Sequence, residues 1–263
     1  MLPNHSPLVV AEQFGTLVAL HPDRIDLGIG RAPGTDPLTA HALRRAPLAT
    51  TSDDFPQQFG ELLGFFDGSF AETHPYRNIH AVPGRGYRPA IWLLGSSDFS
   101  AQLAGLMGLP FSFAHHFASA NTEPALAIYR ASFRPSAVLD RPYAMLGVNV
   151  VCAPSDAEAR WFAAPSALAI LRLRSGRPGK YPTPEEAAEY TFTPAEREVV
   201  RGWTSAHVVG TPERVRDDLR ELAARTGADE LMLTTVVHGH AERRRSYELV
   251  ANAMEVTPLP ASR

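Results

Sequence analysis

The sequence predicts an α/β protein built on a parallel sheet, and three observations carry that reading. Short apolar runs of strand type recur along the chain, amphipathic helices with recognisable caps separate them, and the spacing suits right-handed βαβ crossovers. With 44% hydrophobic and 20% charged residues, the 263-residue chain has the composition of a globular protein with a substantial core.

The elements follow in order. Pro7 suits a first helical turn, and Val10, Phe14 and Leu17 then make a stripe, so a helix is expected over 7–20. His21-Pro22-Asp23 breaks it, and 24–30 reads as a strand ending on small residues. The run 89–95, with Ile91, Trp92, Leu93 and Leu94 in succession, reads as a strand covered on both faces. Ser96-Ser97-Asp98 offers N-cap chemistry for a helix carrying Leu103, Leu106 and Met107, which Gly108 stops. A strand over 109–114, a helix over 123–133 and a strand over 145–152 come next, and Ser155 with Glu158 has capping-box spacing. The clearest helix has Thr211 as cap, Pro212 at its first position, a Val215, Leu219, Leu222 stripe and Gly227 as stop, before a strand over 230–235. These are five strands, where a closed (β/α)8 barrel has eight. The stretches 32–88 and 173–201 resist the scheme, and the second carries Pro178, Pro182, Pro184 and Pro194 among charges; long connections of this kind are functional lids or disordered segments.

Charge excludes some partners. With 25 Lys and Arg against 28 Asp and Glu, nothing draws the chain to nucleic acid or an anionic membrane, so a small-molecule partner is expected. Cys152 is the single cysteine, which rules out an intrachain disulfide, and no apolar run reaches the roughly 18 residues of a membrane span. The start lacks signal-peptide character, and a cytoplasmic location is expected.

Several motifs invite chemistry. Gly28 to Gly34 follows a strand but lacks the third glycine that a dinucleotide fingerprint places at its helix. Within it Arg31 stands at a strand end, where a guanidinium can grip a phosphate in bidentate fashion or simply pair with a surface carboxylate. Gly95, Ser96 and Ser97 lie at another strand exit that opens a helix, so main-chain N–H groups and two hydroxyls can cradle an anion, unless the serines only cap. In a parallel barrel both groups would share the carboxyl-terminal face where sites are built. His115-His116 and His238-Gly239-His240 also follow strands, but no carboxylate or cysteine is spaced to complete a metal site, and pocket-lining or surface roles are favoured. No nucleophile-elbow pattern is present, and Cys152, inside a strand, is expected to be a buried inert thiol.

The segments MLPNHSPLVVAEQFGTL, RIDLGIGRAPGTD, IWLLGSSDFSAQLAGLMGLPFSFAHHF and VVGTPERVRDDLRELAARTGADELMLTT, in this order, resemble the bacterial luciferase-like flavin-dependent monooxygenases. The resemblance implies a TIM-type barrel, a single domain over 1–263, that binds reduced FMN supplied by a separate flavin reductase and uses oxygen on a small organic substrate. It implies that Arg31 is the phosphate-binding arginine, that Gly95, Ser96 and Ser97 form the phosphate-binding turn, and that 173–201 is the lid. Catalytic residues are not identified, and no metal is implied. Light-emitting relatives carry a reactive cysteine before the arginine, where this chain has Gly30. The family opens with strands that have no counterpart here beyond Met1-Leu2, so a barrel lacking its first strands, with exposed edges and a tendency to form homo-oligomers, is expected. Two alternatives stay open: a non-catalytic flavin-binding or subunit-pairing relative, and a deazaflavin- or nicotinamide-dependent oxidoreductase on the same barrel.

Overall fold

A computed structural model describes residues 2–32, 37–44 and 54–257 of the chain. The end of the glycine-rich run, 33–36, lies outside the described residues. The chain divides into two compact units, one of Met1–Ser112 with Ile128–Pro142 and one of Phe113–Ala127 with Tyr143–Arg263.

The first unit begins with a short 3-10 turn and α1 (Pro7–Leu20), followed by β1 (Asp26–Gly30), α2 (Pro37–Arg44), α3 (Phe55–Asp67), β2 (Ala90–Gly95), α4 (Asp98–Leu106) and β3 (Phe111–Phe113), the last ending at the unit boundary. β1 pairs parallel with β2, with Leu27 opposite Ile91 and Gly30 opposite Leu94, and β3 is the next neighbour of β2. Leu27 and Ile29 alternate into the core while Ile91, Trp92 and Leu93 are buried in succession, as a strand covered on both faces requires. Helix α3, absent from the sequence reading, packs against α1 and buries Phe55, Phe59, Leu62, Phe65 and Phe66.

Two helices turn a different face inward from the one their large apolar residues mark. In α1 the buried residues are Val10, Ala11 and Gly15, and Leu17 is exposed. In α4 they are Ser100, Ala101, Ala104 and Gly105, and Leu106 is exposed. The reason is close approach. A Cβ on Gly15 would lie 2.5 Å from the Gly84 Cα, and one on Gly105 would lie 2.6 Å from the Tyr129 carbonyl oxygen, so small residues let these backbones touch.

The second unit holds α5 (His115–Ala118), α6 (Thr122–Ser132, whose last turn belongs to the first unit), β4 (Ala144–Cys152), α7 (Asp156–Arg174), α8 (Pro184–Glu189), α9 (Pro194–Thr204), β5 (Val208–Gly210), α10 (Pro212–Thr226), β6 (Glu230–Thr234) and α11 (His240–Ala253). β4 pairs parallel with β6 over its first half, Met145 opposite Glu230, and with β5 over its last three residues, Val150 opposite Val208. The Ser155 hydroxyl accepts from the Glu158 N–H, and α10 has the expected Thr211 cap, buried Val215, Leu219 and Leu222, and left-handed Gly227. The stretch 173–201 is structured: α8 and α9 each carry a full capping box, Thr183 with Glu186 and Thr193 with Glu196, and bury Ala187 and Val200.

Six strands are present among the described residues, one more than the sequence revealed, and the three-residue β5 is the addition. β1 has β2 as its one strand neighbour and β6 has β4, so the described strands do not close into a barrel.

The glycine contacts make a paired prediction. Gly15→Ala should destabilise the chain by about 1–3 kcal/mol, because its new methyl meets main chain that cannot swing aside. Gly60→Ala, in the exposed interior of α3 with open space around it, should instead stabilise by about 0.5–1 kcal/mol. Urea denaturation of the two variants checks both, and a neutral Gly15→Ala would show that the α1 backbone does not approach Gly84 so closely.

Candidate functional site

In the first unit the β1–β2 register brings the predicted phosphate-binding residues together. Gly30 lies opposite Leu94, so Arg31 and Gly95 leave the sheet side by side. The Arg31 guanidinium sits over the Phe99 ring, its Cζ 4.4 Å from the centroid. That stacking fixes the guanidinium plane and leaves its N–H edges free to donate. Among the described residues Arg31 has no carboxylate partner, so the surface ion pair does not form there.

Ser97 is the N-cap of α4, with extended backbone at φ −141° and ψ 164°, yet its hydroxyl makes no capping hydrogen bond. The first-turn N–H groups of α4 therefore keep their positive end without an intramolecular acceptor from that side chain. Gly95 is needed for this geometry, since a Cβ there would run into the Ser100 side chain at the start of the helix. Arg31, Gly95, Ser96 and Ser97 thus form a donor-rich corner, and Ser96 and Ser97 are both half-buried. A concavity of about 790 Å3 elsewhere in this unit, lined by His5, Gln57, Glu61 and Tyr76 among others, contains none of the four.

In the second unit the structure assembles a group that the sequence did not reveal. His116 Nδ1 lies 3.1 Å from the Gly147 carbonyl oxygen, and Gly147 makes room for the ring, because a Cβ there would be 2.8 Å from the same nitrogen. Two residues along β4, on the same face, Asn149 Nδ2 lies 3.3 Å from His207 Nε2. The pairing of Val150 with Val208 explains this contact, since His207 immediately precedes β5. Burial holds the His207 ring down at about 4, assisted by the nearby His116, while a hydrogen bond to the His116 main chain acts weakly the other way. His115 has a different setting: it is buried, its Nδ1 is 2.7 Å from the Thr122 hydroxyl, and burial, then Arg225 and His116, lower its pKa. It is a neutral packing residue.

The remaining candidates separate from these groups. Cys152 is buried in β4, and burial with the negative charge of Glu213 pushes its thiol up to about 11, as suits an inert thiol. His238 and His240 are exposed, and no group of three His, Cys, Asp or Glu among the described residues could hold a metal ion. No helix among them is long and apolar enough to cross a membrane.

The fold and the corner together define a parallel α/β protein with hydrogen-bond donors gathered at paired strand ends, and comparison supplies its family. The chain belongs to the luciferase-like monooxygenase family, whose model matches residues 1–230. It is 48% identical over 252 residues to the uncharacterized protein YvbT of Bacillus subtilis, covering 96% of this chain and 74% of that protein. It is 43% identical over 255 residues to a luciferase-like monooxygenase of Escherichia coli K12, covering 97% of this chain and 75% of that protein. The crystal structure of apo-MsnO8 superposes with a TM-score of 0.82 at 37% identity, covering 98% of this chain and 77% of that one. The chain therefore spans about three quarters of the length of these relatives.

The depressed His207 pKa makes stability depend on pH in a defined window. Above about 6.5 the ring is neutral both folded and unfolded, and nothing is gained or lost. As pH falls from about 6.5 towards 4 the unfolded chain takes up a proton that the folded chain refuses, so stability declines, and it levels off below about 4. His207→Gln should reduce the fall in unfolding free energy between pH 7 and pH 5 by about 1–2 kcal/mol. Denaturant titrations at the two pH values test this; an unchanged difference would show that the ring titrates normally in the folded chain.

Proposed function

We propose that this chain is a flavin-dependent monooxygenase that takes reduced FMN from a separate flavin reductase and uses molecular oxygen on a small organic substrate. The observation that supports it most directly is the register that sets Arg31 beside Gly95 and the N-terminus of α4, which the Ser97 hydroxyl does not cap. The donor set fits a phosphate monoester: a planar guanidinium held on Phe99, two serine hydroxyls, and helical N–H groups at a positive dipole end. Gly95 keeps the corner open where a side chain would fill it.

Reduced FMN, when bound, would supply the electrons that activate oxygen. The protein's part is to hold and orient it: Arg31 neutralises phosphate charge, and Ser96 and Ser97 donate to its oxygens. Membership of a monooxygenase family supports the reaction class.

Arg31→Ala should weaken FMN binding by roughly 10- to 150-fold, since a hydrogen bond to a charged group contributes about 1.5–3 kcal/mol. Arg31→Lys should fall between, because an ammonium keeps the charge but not the planar fork. Riboflavin, which lacks the phosphate, should bind the three proteins alike. Fluorescence titration gives the comparison; unchanged FMN affinity in folded Arg31→Ala removes the phosphate assignment.

The segment 173–201 is proposed to act as the lid. Its exposed connection between α7 and α8 holds Arg177 and Lys180, where trypsin should cut first. Reduced FMN with substrate should slow that cut, and first cleavage elsewhere, or a rate indifferent to both, would count against a lid.

A further inference from the structure

One side-chain contact joins the two strand exits of the corner. Arg31 follows β1, Phe99 is the second residue of α4, and the guanidinium Cζ lies 4.4 Å from the centroid of the Phe99 ring. Packing of the helix does not explain the ring. The buried residues of α4 are Ser100, Ala101, Ala104 and Gly105, whereas Phe99 is 37% exposed. Its apolar surface is therefore spent on the Arg31 side chain more than on the core. The negative face of an aromatic ring attracts the face of a guanidinium and leaves the planar fork of N–H donors at its edges. An arginine side chain has many rotamers, and ordering one at the moment of binding subtracts from affinity. A ring that already holds the guanidinium removes part of that loss.

We propose that Phe99 is a positioning residue for the phosphate of FMN: its ring orders the Arg31 guanidinium in the flavin-free chain, and so raises FMN affinity through Arg31 without touching the ligand. The inference rests on the reading of Arg31 as the phosphate-binding arginine. Two consequences separate it from a structural role. The ring should matter only to ligands that carry the phosphate, and only while residue 31 is arginine.

The test is fluorescence titration of the full chain with FMN and with riboflavin. Phe99→Leu, which keeps apolar bulk, should weaken FMN binding by about two- to fivefold, the worth of a cation–π contact at an exposed site, and leave riboflavin binding unchanged. Phe99→Trp, whose ring attracts a cation more strongly, should match or exceed the affinity of the unaltered chain. In the Arg31→Ala background Phe99→Leu should change nothing. Pentafluorophenylalanine at position 99 keeps the shape of the ring and reverses its charge distribution; it should weaken FMN alone, and it serves as the variant if Phe99→Leu does not fold. The proposal is overturned by unchanged FMN affinity in these folded variants while Arg31→Ala is weakened, by an equal loss in the Arg31→Ala background, or by an equal loss for riboflavin. Unchanged FMN affinity in folded Arg31→Ala overturns the phosphate reading itself, so the two failures are told apart.

Discussion

The pairing register of parallel strands is the constraint on which the local sites depend. Parallel neighbours run the same way, so the residues that follow them emerge together, and a shift of one residue would send every side chain to the opposite face. In the first unit the pairing of Gly30 with Leu94 sets a guanidinium beside a helix N-terminus. In the second, the pairing of Val150 with Val208 sets the Asn149 amide beside the His207 ring. Neither arrangement needs a special loop; each follows from strands ending where they do.

Close packing by small residues keeps those strand ends usable. Gly95 lets α4 begin hard against β2, Gly147 lets the His116 ring lie on β4, and Gly28 leaves room for the Leu94 side chain. At each of these positions an added Cβ would meet another group inside ordinary contact distance. The same economy explains why α4 buries Ser100, Ala101, Ala104 and Gly105 in preference to its leucines: the helix lies too close to its neighbours for larger side chains.

These facts set what could be read from the chain alone. Helix α10 was legible in full because its cap, first-turn proline, apolar stripe and glycine stop are all local signals. The faces of α1 and α4 were not, because a stripe of alanine, serine and glycine carries no hydrophobic contrast. β5 is too short to show as an apolar run, and the prolines that start α8 and α9 stand among charges without an apolar stripe to mark the helices that follow them. Among the site residues, Arg31, Gly95, Ser96 and Ser97 were visible as strand exits, each defined by its own neighbours. The Asn149–His207 contact joins residues 58 apart, and nothing in either segment announces the other.

His115 and His116 show how little residue type settles by itself. Adjacent in sequence and both following β3, they meet different surroundings: the first is buried against Thr122 and lacks access to a ligand, and the second anchors one nitrogen on main chain and keeps the other open. Packing accounts for the first entirely. It does not account for the Asn149 oxygen, whose desolvation without a partner costs about 1–3 kcal/mol, a substantial part of the stability of a domain. An apolar residue of similar shape would avoid that cost, but it would also lose the contact of the amide Nδ2 with His207 Nε2.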